Sequence, residues 1–349
     1  MTTHLVWLRN DLRINDNLAL HAACTQPDAR VIALFIATPG QWQQHEMAAR
    51  QVAFIHQSLD MLQSSLAERG IPLHFHQCDD FAASIDFLVG FCQKQQVDKL
   101  FYNYQYEVNE RERDASAEKR LHEANVVCQG FDDSLLLPPG SIQTGDGEMY
   151  KVFTPFSKAF LRRLQQGLPE CVPAPKAREG APLKEPKSLP PFDYPKADID
   201  TSLFPPGEQA AVKRLREFAK QAVLDYAKQR DLPALDSTSR LSVYLSTGVL
   251  SPRQCLHRIL HEQPKALDSG PAAVWINELI WREFYRHLIV AHPRLCKHQP
   301  FVHWTRNVAW QRNSAHFDAW KAGKTGYPIV DAAMRQMRSE EHTSELQSQ

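Results

Sequence analysis

Trp275, Glu278, Trp281, Arg282, Tyr285 and Arg286 recur at intervals of three and four residues along Trp275-Ile-Asn-Glu-Leu-Ile-Trp-Arg-Glu-Phe-Tyr-Arg286. Wound as a helix, they share one face, while Ile276, Leu279, Ile280 and Phe284 form an ordinary core stripe on the other. Rings offer stacking surfaces, arginines hold phosphates and a carboxylate accepts hydrogen bonds from base edges. The expected chemistry is recognition of a planar, polyanionic ligand. The competing reading is an amphipathic helix whose tryptophans are core, and the helix alone does not separate the two.

Charge points the same way. The chain carries 40 Lys+Arg and 40 Asp+Glu, a net charge of zero. Between Pro206 and Met337, however, 19 Lys+Arg stand against 11 Asp+Glu, so 19 − 11 = +8, and the remainder holds −8. A basic half is the footprint of a polyanionic partner, although chance clustering can produce an excess of this size. The seven cysteines are scattered, with no CxxC pair and no metal-ligand spacing, as in reduced thiols of a cytoplasmic protein. No window reaches the roughly 18 apolar residues needed to cross a bilayer, so no membrane partner is expected. The N-terminus has no secretory pattern. Neither GxGxxG nor a P-loop occurs, which removes the main support for a dinucleotide cradle or a nucleotide triphosphatase.

These residues need a scaffold, and 349 residues suggest two domains. Over 1–135, short β-rich runs (4–8, 31–36, 73–76, 100–102, 126–128) alternate with helical patterns near 48–69, 80–95 and 107–124. That alternation predicts an α/β fold with a parallel sheet covered on both faces and a ligand side at the strand carboxyl ends. Residues 136–206 read as a linker, Pro-rich from 169, with ten of the 23 prolines between Pro169 and Pro206. From 207 to 337 the pattern is all-helical: one long helix over Glu208–Arg230, a Ser251-Pro252 start signal, a helix from Pro271 to His292, and a last one over Ile329–Met337. Residues 338–349 break that pattern. They resemble the translation of a sequencing-library adapter, so the native reading frame is expected to depart from this sequence near Met337.

Six stretches carry a family resemblance: Trp7–Asn17, Tyr102–Glu110, Tyr150–Phe156, Thr238–Ser242, Trp275–His287 and Gly326–Arg335. Together, in this order, they make residues 1–337 resemble the DNA photolyases that repair cyclobutane pyrimidine dimers, and within them the folate-containing bacterial type. The resemblance implies an N-terminal α/β antenna domain and a helical FAD domain. It implies an electron passed from excited, reduced FAD to the dimer in DNA, with 5,10-methenyltetrahydrofolate as antenna and the protein acting as a monomer on DNA in the cytoplasm, associated with the nucleoid. The protein's part in such chemistry is positioning and exclusion of water.

Residue by residue, the resemblance places Thr238, Ser239, Arg240, Leu241 and Ser242 at the FAD phosphates, where hydroxyls and backbone N–H groups at a helix start form an anion site. Tyr226 and Trp275 fall at the flavin. Glu278 and Trp281 fall in the dimer pocket: Trp281 would stack on an extruded base and so offset the few kcal/mol that extrusion costs, and Glu278 would accept from a base edge. Arg230, Arg282 and Tyr285 fall at the DNA beside the lesion. Asn109 and Glu110 fall at the folate, with Lys297 as partner for its glutamyl tail and His45 as a further contact. Trp310 falls at the outer end of the tryptophan chain that photoreduces the flavin. Several have a plain alternative: N-capping for the 238–242 loop, core packing for Tyr226 and Trp310, a solvated charge for each arginine, and the acidic first turn of a helix for Asn109–Glu110.

The family's helical domain extends past the matched stretches, so the resemblance also implies an incomplete flavin site and, for this chain as written, poor FAD retention and no repair. The alternative functions are a cryptochrome-type light sensor, repair of the other main photoproduct, and a nucleic-acid-binding module without chemistry.

Overall fold

The computed structural model describes residues 2–338 apart from Glu185 and Pro233. Beyond Arg338, the adapter-like tail lies outside the described residues. Five strands, β1 (Thr3–Leu8), β2 (Arg30–Ala37), β3 (Leu73–Gln77), β4 (Lys99–Asn103) and β5 (Val127–Phe131), form one parallel sheet in the order β3-β2-β1-β4-β5. β1 and β2 are the central strands and are buried almost throughout, which is why they read as continuous apolar runs rather than alternating ones. The α/β reading therefore holds, and the order reverses between β1 and β4.

Around the sheet stand α1 (Leu18–Cys24), α2 (Pro39–Gln44), α3 (Ala49–Ala67), α4 (Phe81–Gln95) and α5 (Val108–Glu123). Local chemistry sets their ends. Asn17 accepts from the Leu20 N–H to cap α1, and Asp80 accepts from Ala83 to cap α4, which closes on the left-handed Gln96.

The stretch expected as a linker is part of the fold. It contains α6 (Phe153–Gln166), whose Phe156, Phe160 and Leu164 recur every four residues and are buried. Leu136, Leu137, Leu189, Phe192 and Phe204 join the same core, and the segment also pairs with the sheet domain, Leu183 N–H donating to Ala67 O and Asp16 N–H to Val172 O. The prolines forbid regular structure but not burial.

The helical region holds α7 (Glu208–Glu217), α8 (Val223–Gln229), α9 (Ser242–Ser246), α10 (Pro252–Glu262), α11 (Pro271–Ala291), α12 (Ser314–Lys321) and α13 (Pro328–Arg338). The helix expected over 208–230 is interrupted by a π-helical stretch at Phe218–Ala222. Ser251 and Gln254 complete a capping box with Pro252 in the first turn of α10. One hydrophobic core runs from Val6 and Leu8 of the sheet to Ile276 and Phe284 of α11, so the two regions are fused.

A buried polar cluster fixes their mutual position. Arg13 bonds Asp133 at 2.5 Å, and Arg253 bonds Asp16 at 3.0 Å and Asp133 at 2.9 Å. Arg13 also donates to Gly248 O at 2.9 Å. Gly248 sits at φ +66°, and a Cβ there would lie 1.9 Å from Asn10 O, so only glycine permits this approach. The Arg9–Asn17 loop is thus spent largely on docking the helical region to the sheet.

Candidate functional site

α11 organises the site, but its two faces divide differently from the sequence expectation. Trp275 is 3 % exposed and packs on Phe218 with centroids 5.4 Å apart, so it belongs to the core side. Phe218 also meets Tyr226 edge-on at 5.9 Å, and Tyr226 is buried. Trp275 and Tyr226 therefore build one aromatic floor between α8 and α11. Burial first, and the Glu278 carboxylate second, push the Tyr226 phenol pKa up.

At the rim of that floor Arg230, just past α8, pairs with Glu278 of α11. The pair is about one-third to two-fifths exposed, so both groups remain open to a ligand. Ser237 Oγ donates to Gln229 O at 3.0 Å, tying the following loop to the end of α8. In that loop Arg240 takes a left-handed φ of +51° and pairs with Asp236 at 2.8 Å. Leu241 is buried, its N–H reaching Ser239 Oγ at 3.4 Å. Ser242 Oγ is buried with no hydrogen-bond partner among the described residues. A buried hydroxyl without a partner is costly, and an anionic oxygen beside Ser242 would satisfy it. The unpartnered Ser242 hydroxyl therefore fits the phosphate end of a flavin nucleotide.

Trp281 lies flat on Phe153 of α6, centroids 3.5 Å apart and planes 6° from parallel, and Tyr285 stacks near it at 5.6 Å. Tyr285 is 56 % exposed. Phe153 had no role in the sequence reading, although it sits in the Tyr150–Phe156 motif. Arg282 departs from expectation. Its guanidinium donates to Ser134 O at 2.6 Å and Leu245 O at 3.4 Å, and burial lowers its pKa to about 10. A guanidinium spent on main-chain carbonyls between sheet domain and helices is not placed to hold a phosphate. Next to it Glu283 is fully buried, accepts from Leu136 and Leu137 N–H at 3.0 and 3.4 Å, and has its pKa raised by burial to about 7.

A second cleft, of about 590 Å³, opens between α2, α4 and α5. Asn109 Nδ2 and Gln41 Nε2 lie 3.2 and 2.8 Å from His45 Nε2, and all three line it. Two amide donors on one ring nitrogen make it the acceptor. Lys297 reaches the cleft through Glu112, 3.7 Å away. The acidic side chain lining this cleft is Glu112; Glu110 is half-buried beside Glu107, its pKa raised by burial, and does not line it. Trp310 is 79 % exposed in an irregular segment between Asn307 and Ser314.

Comparison with known proteins agrees with this geometry. Residues 4–176 match the DNA photolyase model, and residues 275–345 match the FAD binding domain of DNA photolyase. Over 339 residues the chain is 58 % identical to the deoxyribodipyrimidine photo-lyase of Salmonella typhimurium and 59 % identical to that of Escherichia coli, covering 97 % of this chain and 71 % of each relative. The fold also matches a bacterial class III photolyase from Agrobacterium tumefaciens (TM-score 0.79, 28 % identity, 99 % of this chain and 71 % of that one). A Synechocystis cryptochrome shares the fold at TM-score 0.84 and 24 % identity, over 99 % of this chain and 72 % of that one. The α/β sheet joined to a helical FAD-binding region defines a flavoprotein of the photolyase–cryptochrome class. Within that class the chain belongs to the DNA photolyase family.

Proposed function

We propose that this chain is a deoxyribodipyrimidine photo-lyase, a light-driven enzyme that splits cyclobutane pyrimidine dimers in DNA, acting as a monomer in the cytoplasm. The observation that carries the reading is the juxtaposition of Glu278 and Trp281 on α11 with Arg230 at the end of α8, beside the Tyr226–Trp275 floor. Excited in its reduced form, bound FAD would supply one electron to the dimer and recover it after the ring opens. Every other task falls to the chain. Trp281 and Tyr285 present ring faces to an extruded dimer, which offsets part of the unstacking cost. Glu278 accepts a hydrogen bond from a base edge. Arg230, already at the rim, meets the phosphate beside the lesion. Thr238, Ser239 and Ser242 hold the flavin phosphates, and Trp310 is the outward end of the reducing path.

The α2–α4–α5 cleft is proposed as the site of a 5,10-methenyltetrahydrofolate antenna. Support comes from the Glu112 carboxylate as acceptor, the Asn109–His45–Gln41 cluster on the cleft wall, and Lys297 as the cation for a glutamyl carboxylate. The proposal is tested by illuminating the flavin-loaded protein with ultraviolet-irradiated oligothymidylate. Dimers are expected to disappear in light and persist in darkness. A flavin-loaded protein that binds this DNA but leaves the dimers intact under light would overturn it.

A further inference from the structure

α1 is seven residues long and cannot cover the whole sheet face on which it lies. On that face, register places His4 beside Lys99 and Phe101 beside Gln129. The uncovered part is a groove of about 310 Å³ between α1 and the edge strand β5, with Phe101 and Phe131 among its walls. Val127, nearby on β5, is 60 % exposed. The groove lies toward the amino ends of β1 and β4, away from the carboxyl ends near which α2, α4 and α5 frame the other cleft.

Among the described residues, two polar groups in this groove are left without partners. His4 is 2 % exposed, and its Nδ1 lies 2.8 Å from Ala23 O. A carbonyl oxygen only accepts, so Nδ1 is the donor, which in the neutral ring leaves Nε2 as the acceptor. That Nε2 is buried and has no hydrogen-bond partner among the described residues. Buried acceptors are rarely left so, and a donor arriving through the groove would satisfy it. Lys99, at the rim, forms no ion pair among the described residues. His21 and Gln129 complete the polar edge, His21 held at 3.4 Å from Pro173 O.

An aromatic wall, an inner hydrogen-bond acceptor and an outer cation define a ligand. We propose that the groove between α1 and β5 binds a small planar heteroaromatic anion, its ring N–H on His4 Nε2 and its acidic group on Lys99. A pocket of this size accepts a one- or two-ring compound.

The test is titration of protein carrying 15N-labelled histidine with three probes. Orotate has ring N–H donors and a carboxylate, uracil lacks the carboxylate, and benzoate lacks the donors. Saturable orotate binding is expected to shift the His4 Nε2 resonance, with affinity about tenfold above either fragment, the ratio one good polar contact gives. Lys99→Gln removes that advantage over uracil, and Gln129→Trp, at an exposed position, blocks the groove and abolishes the shift with an unchanged melting temperature. A His4 resonance that stays put as orotate rises, or an orotate response that survives Gln129→Trp, overturns the proposal.

Discussion

Phe153 of α6 lies face to face with Trp281 of α11, the two rings 3.5 Å apart. The stack joins the connecting segment to the helix that carries the proposed dimer pocket, and it fixes the plane of the indole. Phe153→Ala is expected to cost about 2 kcal/mol, from a half-buried ring and a lost stack. It should also free the Trp281 rotamer, moving tryptophan emission to the red and weakening binding of dimer-containing DNA. Phe153→Leu should recover much of the stability and little of the binding. Stability and binding lost and regained in strict proportion would show the stack to be mere packing.

Arg230 and Arg282 make opposite predictions despite their identical chemistry. Arg230 is at the rim, paired with Glu278; Arg282 is inside, donating to Ser134 O and Leu245 O. Arg230→Ala should reduce the salt dependence of DNA affinity by about one phosphate contact. Arg282→Ala should leave the slope alone and destabilise the fold by about 1–3 kcal/mol, because two part-buried carbonyls lose their donor. The pair of measurements is a salt titration of DNA binding and a denaturant melt of each variant.

The sheet was legible because its central strands are buried on both faces and read as unbroken apolar runs between turn signals. The face of α11 was half legible. Periodicity groups Trp275, Glu278, Trp281 and Arg282, but it cannot say that a π-stretch and α8 close over Trp275, or that Arg282 finds carbonyls. The Arg13, Asp16, Asp133 and Arg253 cluster was invisible for a related reason: its ion pairs span from 120 to 237 residues of chain, and no local pattern encodes a partner so distant. The connecting segment was misread because proline density signals irregular backbone and carries no information about burial. The fourfold spacing of Phe156, Phe160 and Leu164 was the available clue.

Glu278→Gln separates function from stability. Its ion pair with Arg230 is substantially solvated, so removing the charge should change stability by less than about 1 kcal/mol. Repair should suffer far more, since a carboxylate accepts two strong hydrogen bonds and an amide presents a donor in their place. Dimer repair per photon absorbed, set beside a urea melt, checks both halves. An unchanged yield would remove Glu278 from the proposed pocket.

Burial raises the Glu283 pKa from its ordinary 4.5 to about 7, with Arg282 and Arg286 opposing the shift. The folded state therefore holds this proton more tightly than the unfolded chain. The sign follows from linkage: the stabilisation from the proton is complete below the unfolded value and is lost as pH rises through the folded one. The Glu283 contribution to stability should thus fall between about pH 4.5 and 7 and stay flat above. Glu283→Gln cannot titrate, so the variant should lack this descent. It should also lose one of the two bonds to the Leu136 and Leu137 N–H groups, lowering stability at pH 5 most. Urea melts of both proteins at intervals from pH 5 to 8 would show the two stability curves converging as pH rises. Parallel curves would mean that Glu283 is ionised throughout, held by the two arginines despite its burial.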